Sequence, residues 1–138
     1  MNPGISARLD RISTGGRFLT VPMDHGITMG PVAGLVDIES TVDAVTRGGA
    51  DAVLTQKGLA ERIHPNRNDA GYVVHANAST TVGPDGNDKR VTATATEAVR
   101  AGADAVSYHV NVGSDSERRQ IEDLAELTRE AHELGLPV

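Results

Sequence analysis

The sequence predicts an α/β fold in which strands and helices alternate and the strands form a parallel sheet. The clearest sign is an internal repeat, because Arg47-Gly48-Gly49-Ala50-Asp51-Ala52-Val53 recurs 53 residues later as Arg100-Ala101-Gly102-Ala103-Asp104-Ala105-Val106. In each copy a helix is predicted to end at a glycine, and an apolar strand begins directly after it. Such helix–glycine–strand joints are typical of parallel sheets with helical crossovers.

The remaining elements follow in order along the chain. Apolar periodicity, turn residues and helix-capping signals predict helices over 5–12, 37–47 and 59–63, strands over 18–23, 51–55, 71–76 and 104–110, and further helices starting at the capping boxes Thr94–Glu97 and Ser114–Glu117. The polar stretch 79–93 contains Gly83-Pro84-Asp85-Gly86, so it is predicted to be a loop. Residues 134–138 are predicted to end the last helix and begin a fifth strand.

Two architectures are compatible with this alternation, a doubly wound sheet and a (β/α)8 TIM barrel. The segment after the first strand, Gly26-Ile27-Thr28-Met29-Gly30-Pro31, matches neither the phosphate-loop nor the dinucleotide fingerprint. A barrel needs about 250 residues and eight βα units. A five-stranded doubly wound sheet would fit the length of 138 residues, so the pattern of elements alone leaves both architectures open.

Composition narrows the class of protein. The net charge of −6 gives no electrostatic support to a nucleic-acid partner, and no apolar run approaches the length of a membrane span. Nineteen acidic residues against two lysines, Lys57 and Lys89, indicate a halophilic protein. With no cysteine and no signal-peptide core, a cytoplasmic protein is expected.

Polar side chains collect where the predicted strands end. Asp24 directly follows the first strand and is the leading candidate for catalysis, because an acid after a buried strand is costly unless it is used or paired. The carboxyl ends of parallel strands converge on one face, so these side chains should line one pocket. They are Asp24, His25, Gln56, Lys57, His75, Asn77, Tyr108, His109 and Asn111.

Each candidate also has a structural interpretation. Asp24 could cap a turn, His25 could orient Asp24, and Lys57 could be a solvated loop lysine. His75 and His109 could be hydrogen-bonded histidines of the core or the rim.

Four further ionisable residues are predicted to have no part in the site. Asp51 and Asp104 lie at the amino ends of strands, where a structural role is expected. His64 and His132 are expected at the surface.

Two kinds of chemistry remain open on these residues. Asp24, His25, His75 and His109 could supply a mixed nitrogen and oxygen ligand set for zinc or manganese, although no closely spaced histidine pair occurs. In the alternative, which uses no metal, a lysine forms a Schiff base and a carboxylate moves protons.

A family resemblance favours the second kind. The runs Val21–Pro31 and Gly48–Gly58, extended by Asn87-Asp88-Lys89 and Gly102–Ser114, closely resemble archaeal 2-amino-3,7-dideoxy-D-threo-hept-6-ulosonate synthases, members of the archaeal-type class I fructose-bisphosphate aldolase superfamily. The resemblance covers nearly the whole chain. It implies a (β/α)8 TIM barrel with neither metal nor cofactor, in which residues 1–138 form a single partial (β/α) barrel domain, the N-terminal half, with the first four βα units and the start of strand 5. It also implies a transaldolase-like reaction in aromatic amino-acid biosynthesis.

In such a reaction a three-carbon unit from a phosphorylated deoxy-diulose becomes a lysine-bound enamine and adds to L-aspartate semialdehyde. The resemblance implies that Asp24 is the acid/base carboxylate and that Asp24, His25, Gly26, Ile27 and Thr28 form part of the sugar-phosphate pocket. Lys57, His75 and His109 are further candidates for lining that pocket. A homo-oligomer is expected.

The chain also departs from the family pattern. The family's tyrosine acid/base, Schiff-base lysine and phosphate loops follow strands 5 to 8, beyond the residues of this chain, and Lys57 does not occupy the Schiff-base position. Two alternatives therefore stand beside the synthase: a class I fructose-bisphosphate aldolase, and a non-catalytic half barrel with exposed sheet edges.

Overall fold

The computed structural model describes residues 2–138 as a parallel sheet flanked by helices. The elements, in chain order, are α1 (Pro3–Arg11), β1 (Thr20–Pro22), α2 (His25–Met29), α3 (Ile38–Arg47), β2 (Ala52–Thr55), α4 (Ala60–Ile63), β3 (Gly71–His75), β4 (Asn77–Ala78), β5 (Arg90–Val91), α5 (Ala95–Arg100), β6 (Ala105–Ser107) and α6 (Glu117–Glu133). A short 3₁₀ turn, Lys57–Leu59, precedes α4. Within the described residues no helix is both long and apolar enough to cross a membrane.

The main sheet has the order β1-β2-β3-β6, and every pairing in it is parallel. Val21 pairs with Val53, Val53 with Tyr72, and Val73 with Ala105. Beyond β6, the amide of Val106 donates to the carbonyl of Pro137 at 3.0 Å. The predicted alternation of strands and helices, and the parallel direction of the sheet, are thus confirmed.

The two faces of the sheet bury different partners. On the outer face, Val53, Tyr72 and Val74 are inaccessible to solvent and belong to a core shared with buried residues of α3, α4, α5 and α6. On the inner face, Ala52, Val73 and Ala105 pack against Leu9 and Ile12, from α1 and the residue that follows it. Helix α1 therefore covers the inner face at the amino ends of the strands.

The two aspartates of the internal repeat join neighbouring strands in the same way. Asp51 donates its amide to the carbonyl of Leu19 at 2.9 Å, and its carboxylate accepts the Leu19 amide at 2.8 Å. Asp104 makes the same reciprocal pair with Tyr72, at 2.7 and 3.0 Å. Their predicted structural role is confirmed.

Three local predictions were wrong. The apolar run at Phe18 and Leu19 is not a buried strand, because both side chains are more than half exposed and β1, an edge strand, begins only at Thr20. The predicted loop 79–93 is closed by an antiparallel pairing of β4 with β5. Helix α6 begins at Glu117 after Ser116, and the Ser114 hydroxyl bonds to Asn111 instead of capping the helix.

His64, predicted to lie at the surface, is partly buried against the core. Its Nε2 lies 2.7 Å from the carbonyl oxygen of Ala101, and its ring packs edge-on against Tyr72, with centroids 5.2 Å apart. His132 is exposed, as predicted. The capping box between Thr94 and Glu97 is present.

Candidate active site

Asp24 lies between the end of β1 and the start of α2. It occupies the N-cap position of α2, yet its side chain makes no capping hydrogen bond. Its carboxylate is 24% exposed, and Oδ2 lies 3.7 Å from Nε2 of His75. The interpretation of Asp24 as a helix or turn cap is therefore not supported, and the carboxylate faces the carboxyl end of β3.

His75, the last residue of β3, lies between two polar partners. Its Nδ1 is 2.7 Å from the hydroxyl oxygen of Ser107 on the neighbouring strand β6, and its Nε2 faces Asp24. The side chain is only 12% exposed. Burial lowers the pKa of His75, the nearby Asp24 carboxylate raises it, and electrostatic interactions with Lys89 and with His109 lower it further. The net direction is downward, which favours the neutral imidazole at pH 7.

His109 approaches the same group from the loop after β6. The side-chain amide of Asn77 holds its backbone at both ends, accepting from the His109 amide at 3.0 Å and donating to its carbonyl at 2.8 Å. The pKa of the exposed His109 ring is lowered by partial burial and by Lys89, against the opposing effect of Asp24. The charge of Lys89 therefore acts on both histidines.

The segment predicted to bind the sugar phosphate forms the short helix α2. His25, Gly26 and Ile27 are exposed, and Thr28 is partly exposed. The carbonyl of Thr28 accepts from the amide and the hydroxyl of Thr81, at 2.9 and 3.2 Å, which attaches α2 to the β4–β5 connection. The imidazole that faces Asp24 is His75 of β3, not the adjacent His25.

Two cavities meet at Asp24. The larger, of about 530 Å³, extends along α2 and includes Asp24, Gly26, Ile27 and Gln56 in its lining. The smaller, of about 340 Å³, lies on the inner face of the sheet, and its lining includes His75, Ser107 and His109. The carboxylate is thus accessible from both sides.

Lys57 does not lie with this group. Its Nζ forms an ion pair with Glu97 of α5 at 2.5 Å, in a separate cleft that also contains His64 and Arg100. The 3₁₀ turn that begins at Lys57 directs the lysine toward the outer helices. The hypothesis that Lys57 lines the same pocket as Asp24 is therefore corrected.

Tyr108 also lines the cavity of about 340 Å³, but the polar groups of Tyr108 and Asn111 bond to residues outside the cluster. The Tyr108 hydroxyl donates to Asp123 of α6 at 2.9 Å, and burial, followed by the hydrogen bond and charge of Asp123, raises the pKa of this tyrosine to about 12. Asn111 donates its side-chain amide to Asn87 at 3.2 Å. In residues 2–138, no three His, Asp or Glu side chains lie close enough together to hold a metal, so the mixed ligand set considered above is not assembled.

Two residues of the cluster were not predicted. Ser107 follows Ala105 by two positions, and strict alternation along β6 places both on the inner face, so the sequence carried a usable signal. Lys89 comes from the polar segment before β5 and donates to the Ser79 hydroxyl at 3.4 Å. Its location depends on the unpredicted β4–β5 pairing.

The profile of the DeoC/LacD family aldolases matches residues 18–138. The chain belongs to this aldolase family. It is 64% identical, over 98% of its length, to the 2-amino-3,7-dideoxy-D-threo-hept-6-ulosonate synthase of Halobacterium salinarum, and 40% identical, again over 98%, to synthase 1 of that name from Archaeoglobus fulgidus. It spans 51% and 52% of those relatives, about half of their length.

Solved aldolase structures have the same fold. A Schiff base-forming fructose-1,6-bisphosphate aldolase superimposes with a TM-score of 0.84 at 28% identity, over 96% of this chain and 55% of that one. The four parallel strands and their helices are therefore part of an α/β barrel of the class I aldolase type, and the predicted fold class is confirmed.

Proposed function

We propose that this chain carries the acid/base half of a Schiff-base active site, in the first four βα units of a single barrel domain. The reaction is that of a 2-amino-3,7-dideoxy-D-threo-hept-6-ulosonate synthase. A three-carbon unit is transferred from a phosphorylated deoxy-diulose to L-aspartate semialdehyde. The complete protein is a cytoplasmic homo-oligomer.

The observation that most directly supports this proposal is the environment of Asp24. The carboxylate is partly shielded from water, makes no capping hydrogen bond, and lies where two cavities meet. A carboxylate with free acceptor positions at the carboxyl end of a barrel strand is well placed to act as a base.

In this reaction Asp24 would carry one proton, which it takes from a hydroxyl group of the donor and later returns to the product. An amine condenses with the donor ketone and releases water, and the resulting iminium acts as the electron sink. Asp24 removes the proton of the hydroxyl group next to the C–C bond that breaks. The fragment that carried this hydroxyl leaves as an aldehyde, and the electrons of the broken C–C bond form the enamine. The enamine carbon then attacks the acceptor aldehyde, protonated Asp24 returns its proton to the new alkoxide, and water hydrolyses the iminium.

The exposed segment His25, Gly26, Ile27 and Thr28 is proposed to hold the sugar phosphate. It borders a cavity of about 530 Å³, within the range that encloses small-molecule ligands. Gly26 has no neighbouring heavy atom within 4 Å of the position its Cβ would take, which leaves room for a ligand against the backbone.

The Schiff-base amine is proposed to come from another segment of the gene product. Lys57 is paired with Glu97 outside the cavities that contain Asp24. The synthase is favoured over a fructose-bisphosphate aldolase because identity to the Halobacterium synthase is 64%, against 28% to the aldolase of known structure.

The test uses the gene product that contains this sequence. It is incubated with the donor sugar phosphate and borohydride and then analysed by mass spectrometry, which detects a reduced Schiff base. Asp24→Asn should still form the adduct but lose about 10²–10⁴-fold in kcat, the usual contribution of a general acid or base. The control is Asp115→Asn, an exposed carboxylate, which should retain full turnover.

Three outcomes would contradict the proposal. Absence of an adduct in the wild-type protein would exclude Schiff-base chemistry. Turnover of Asp24→Asn within about threefold of wild type would exclude Asp24 as the base. An adduct on Lys57 in the isolated 138-residue chain would show that the half barrel performs its own carbonyl chemistry.

A further inference from the structure

Three side chains at the carboxyl ends of separate strands form a line across the inner face of the sheet. Ser107 of β6 contacts His75 of β3, and His75 faces Asp24 at the end of β1. Barrel interiors are filled in layers by side chains from alternate strands, which explains how β1 and β3 contribute to one layer. We infer that His75 is a positioning residue for Asp24, and that Ser107 fixes the tautomer in which His75 acts. This inference rests on the proposed base role of Asp24.

The tautomer follows from the two partners. A carboxylate can only accept a hydrogen bond, so the imidazole must carry its proton on Nε2 to interact favourably with Asp24. Nδ1 is then an acceptor, and the Ser107 hydroxyl, 2.7 Å away, donates to it. With Ser107 donating, the opposite tautomer would place two donors against each other.

The distance between His75 and Asp24 is compatible with a hydrogen bond that forms only when substrate is bound. At 3.7 Å, Nε2 and Oδ2 are close enough for electrostatic attraction but too far apart for a strong hydrogen bond. Catalytic hydrogen bonds are often long without substrate and shorten in the reacting complex. A small side-chain rotation would bring the N–H onto Oδ2 and leave Oδ1 free for the substrate hydroxyl.

A neutral His75 serves this purpose better than a charged one. An imidazolium would stabilise the Asp24 anion strongly and weaken it as a base, whereas a neutral N–H orients the carboxylate with a smaller effect on its basicity. The charged and titratable groups that face His75 are Asp24, Lys89 and His109. Burial, Lys89 and His109 favour the neutral form of His75, and Asp24 opposes them.

The experiment compares three variants of the complete gene product in the synthase reaction. His75→Phe keeps a planar ring but has no N–H, and it should lower kcat at least tenfold while KM changes less than threefold. His75→Gln can present an N–H near the position of Nε2, and it should recover most of that loss. Ser107→Ala should lower kcat about threefold to tenfold. His132→Gln, at an exposed histidine, is the matched control and should behave as wild type.

A second measurement detects the tautomer directly. Long-range ¹H–¹⁵N correlation spectra of the same protein should show His75 protonated on Nε2 at neutral pH, and Asp24→Asn should lower its pKa further. Protonation on Nδ1, or equal losses of kcat in the Phe and Gln variants, would overturn the inference. Failure of the wild-type protein to form a borohydride adduct would instead refute the proposed function. The NMR measurement of the His75 tautomer does not depend on that adduct, so the two failures can be distinguished.

Discussion

Replacing Asp104 by alanine should destabilise the fold more than the same replacement at Asp51, although the two residues occupy equivalent positions of the internal repeat. Asp104 is 4% exposed, and its carboxylate accepts the buried amide of Tyr72 at 3.0 Å. Leaving a buried amide unpaired costs about 1–3 kcal/mol. The ion pair with Arg11, at 2.7 Å, adds at most about 1 kcal/mol because the arginine side chain is 59% exposed. The expected total is about 1–4 kcal/mol.

At Asp51 the same bond lies in contact with solvent. The amide of Leu19 and the hydroxyl of Thr14 donate to its carboxylate at 2.8 and 2.5 Å, both at exposed positions. Water can replace a carboxylate there, so the expected loss is about 1 kcal/mol. The repeat therefore provides a pair in which the reciprocal hydrogen bonds to the neighbouring strand are the same. The two carboxylates differ in burial and in their second partner, which is Thr14 for Asp51 and Arg11 for Asp104.

The assay is urea denaturation of the gene product followed by circular dichroism, with stability differences taken from the midpoints and slopes. Asp104→Asn retains a side-chain oxygen acceptor and should lose less than half as much as Asp104→Ala. Asp115→Ala is the control and should stay within about 0.5 kcal/mol. The reasoning would be refuted if Asp51→Ala cost as much as Asp104→Ala, because burial would then not determine the loss.

Two further results are expected. Gly71→Ala should destabilise the protein by about 1–3 kcal/mol, because the added Cβ would lie 2.5 Å from Cγ2 of Ile12 and 2.8 Å from the carbonyl oxygen of Arg11. Gly58→Ala, where the added Cβ would have no neighbouring atom within 4 Å, is the control in the same urea denaturation experiment, and equal losses would contradict the clash. Burial lowers the pKa of His75; Asp24 opposes this effect, and Lys89 and His109 add to it. Because the folded-state pKa is below the unfolded value, the unfolded chain binds more protons than the folded chain below about pH 6.5. Stability should therefore fall as the pH drops below that value, and an unchanged slope of urea midpoint against pH in His75→Gln would contradict the assignment.

What the sequence predicted well depends on local information. The joints at Gly49 and Gly102 were predicted because a helix end, a glycine with positive φ and a strand start occur within a few residues. The capping box at Thr94 is equally local. Asp24 was found for the same reason, since it directly follows a strand.

What was missed depends on contacts between distant segments. The pairing of β4 with β5 involves two residues on each side, too few for a hydrophobic pattern. The position of Lys57 is decided by Glu97, forty residues later, and that of His64 by Tyr72 and Ala101. The sequence offered His25 as a residue that could orient Asp24, whereas the histidine that faces Asp24 is His75, which reaches it through the sheet.

The covering of the inner face by α1 has an electrostatic consequence for the site. Ala52, Val73 and Ala105 form a dry, apolar floor beneath Leu9 and Ile12, while Asp24, His75 and Lys89 lie toward the opposite, solvent-accessible end. Field lines from charges beside a wall of low dielectric constant are concentrated into the aqueous side. The charges around Asp24 therefore act mainly on a ligand that approaches the carboxyl ends of the strands.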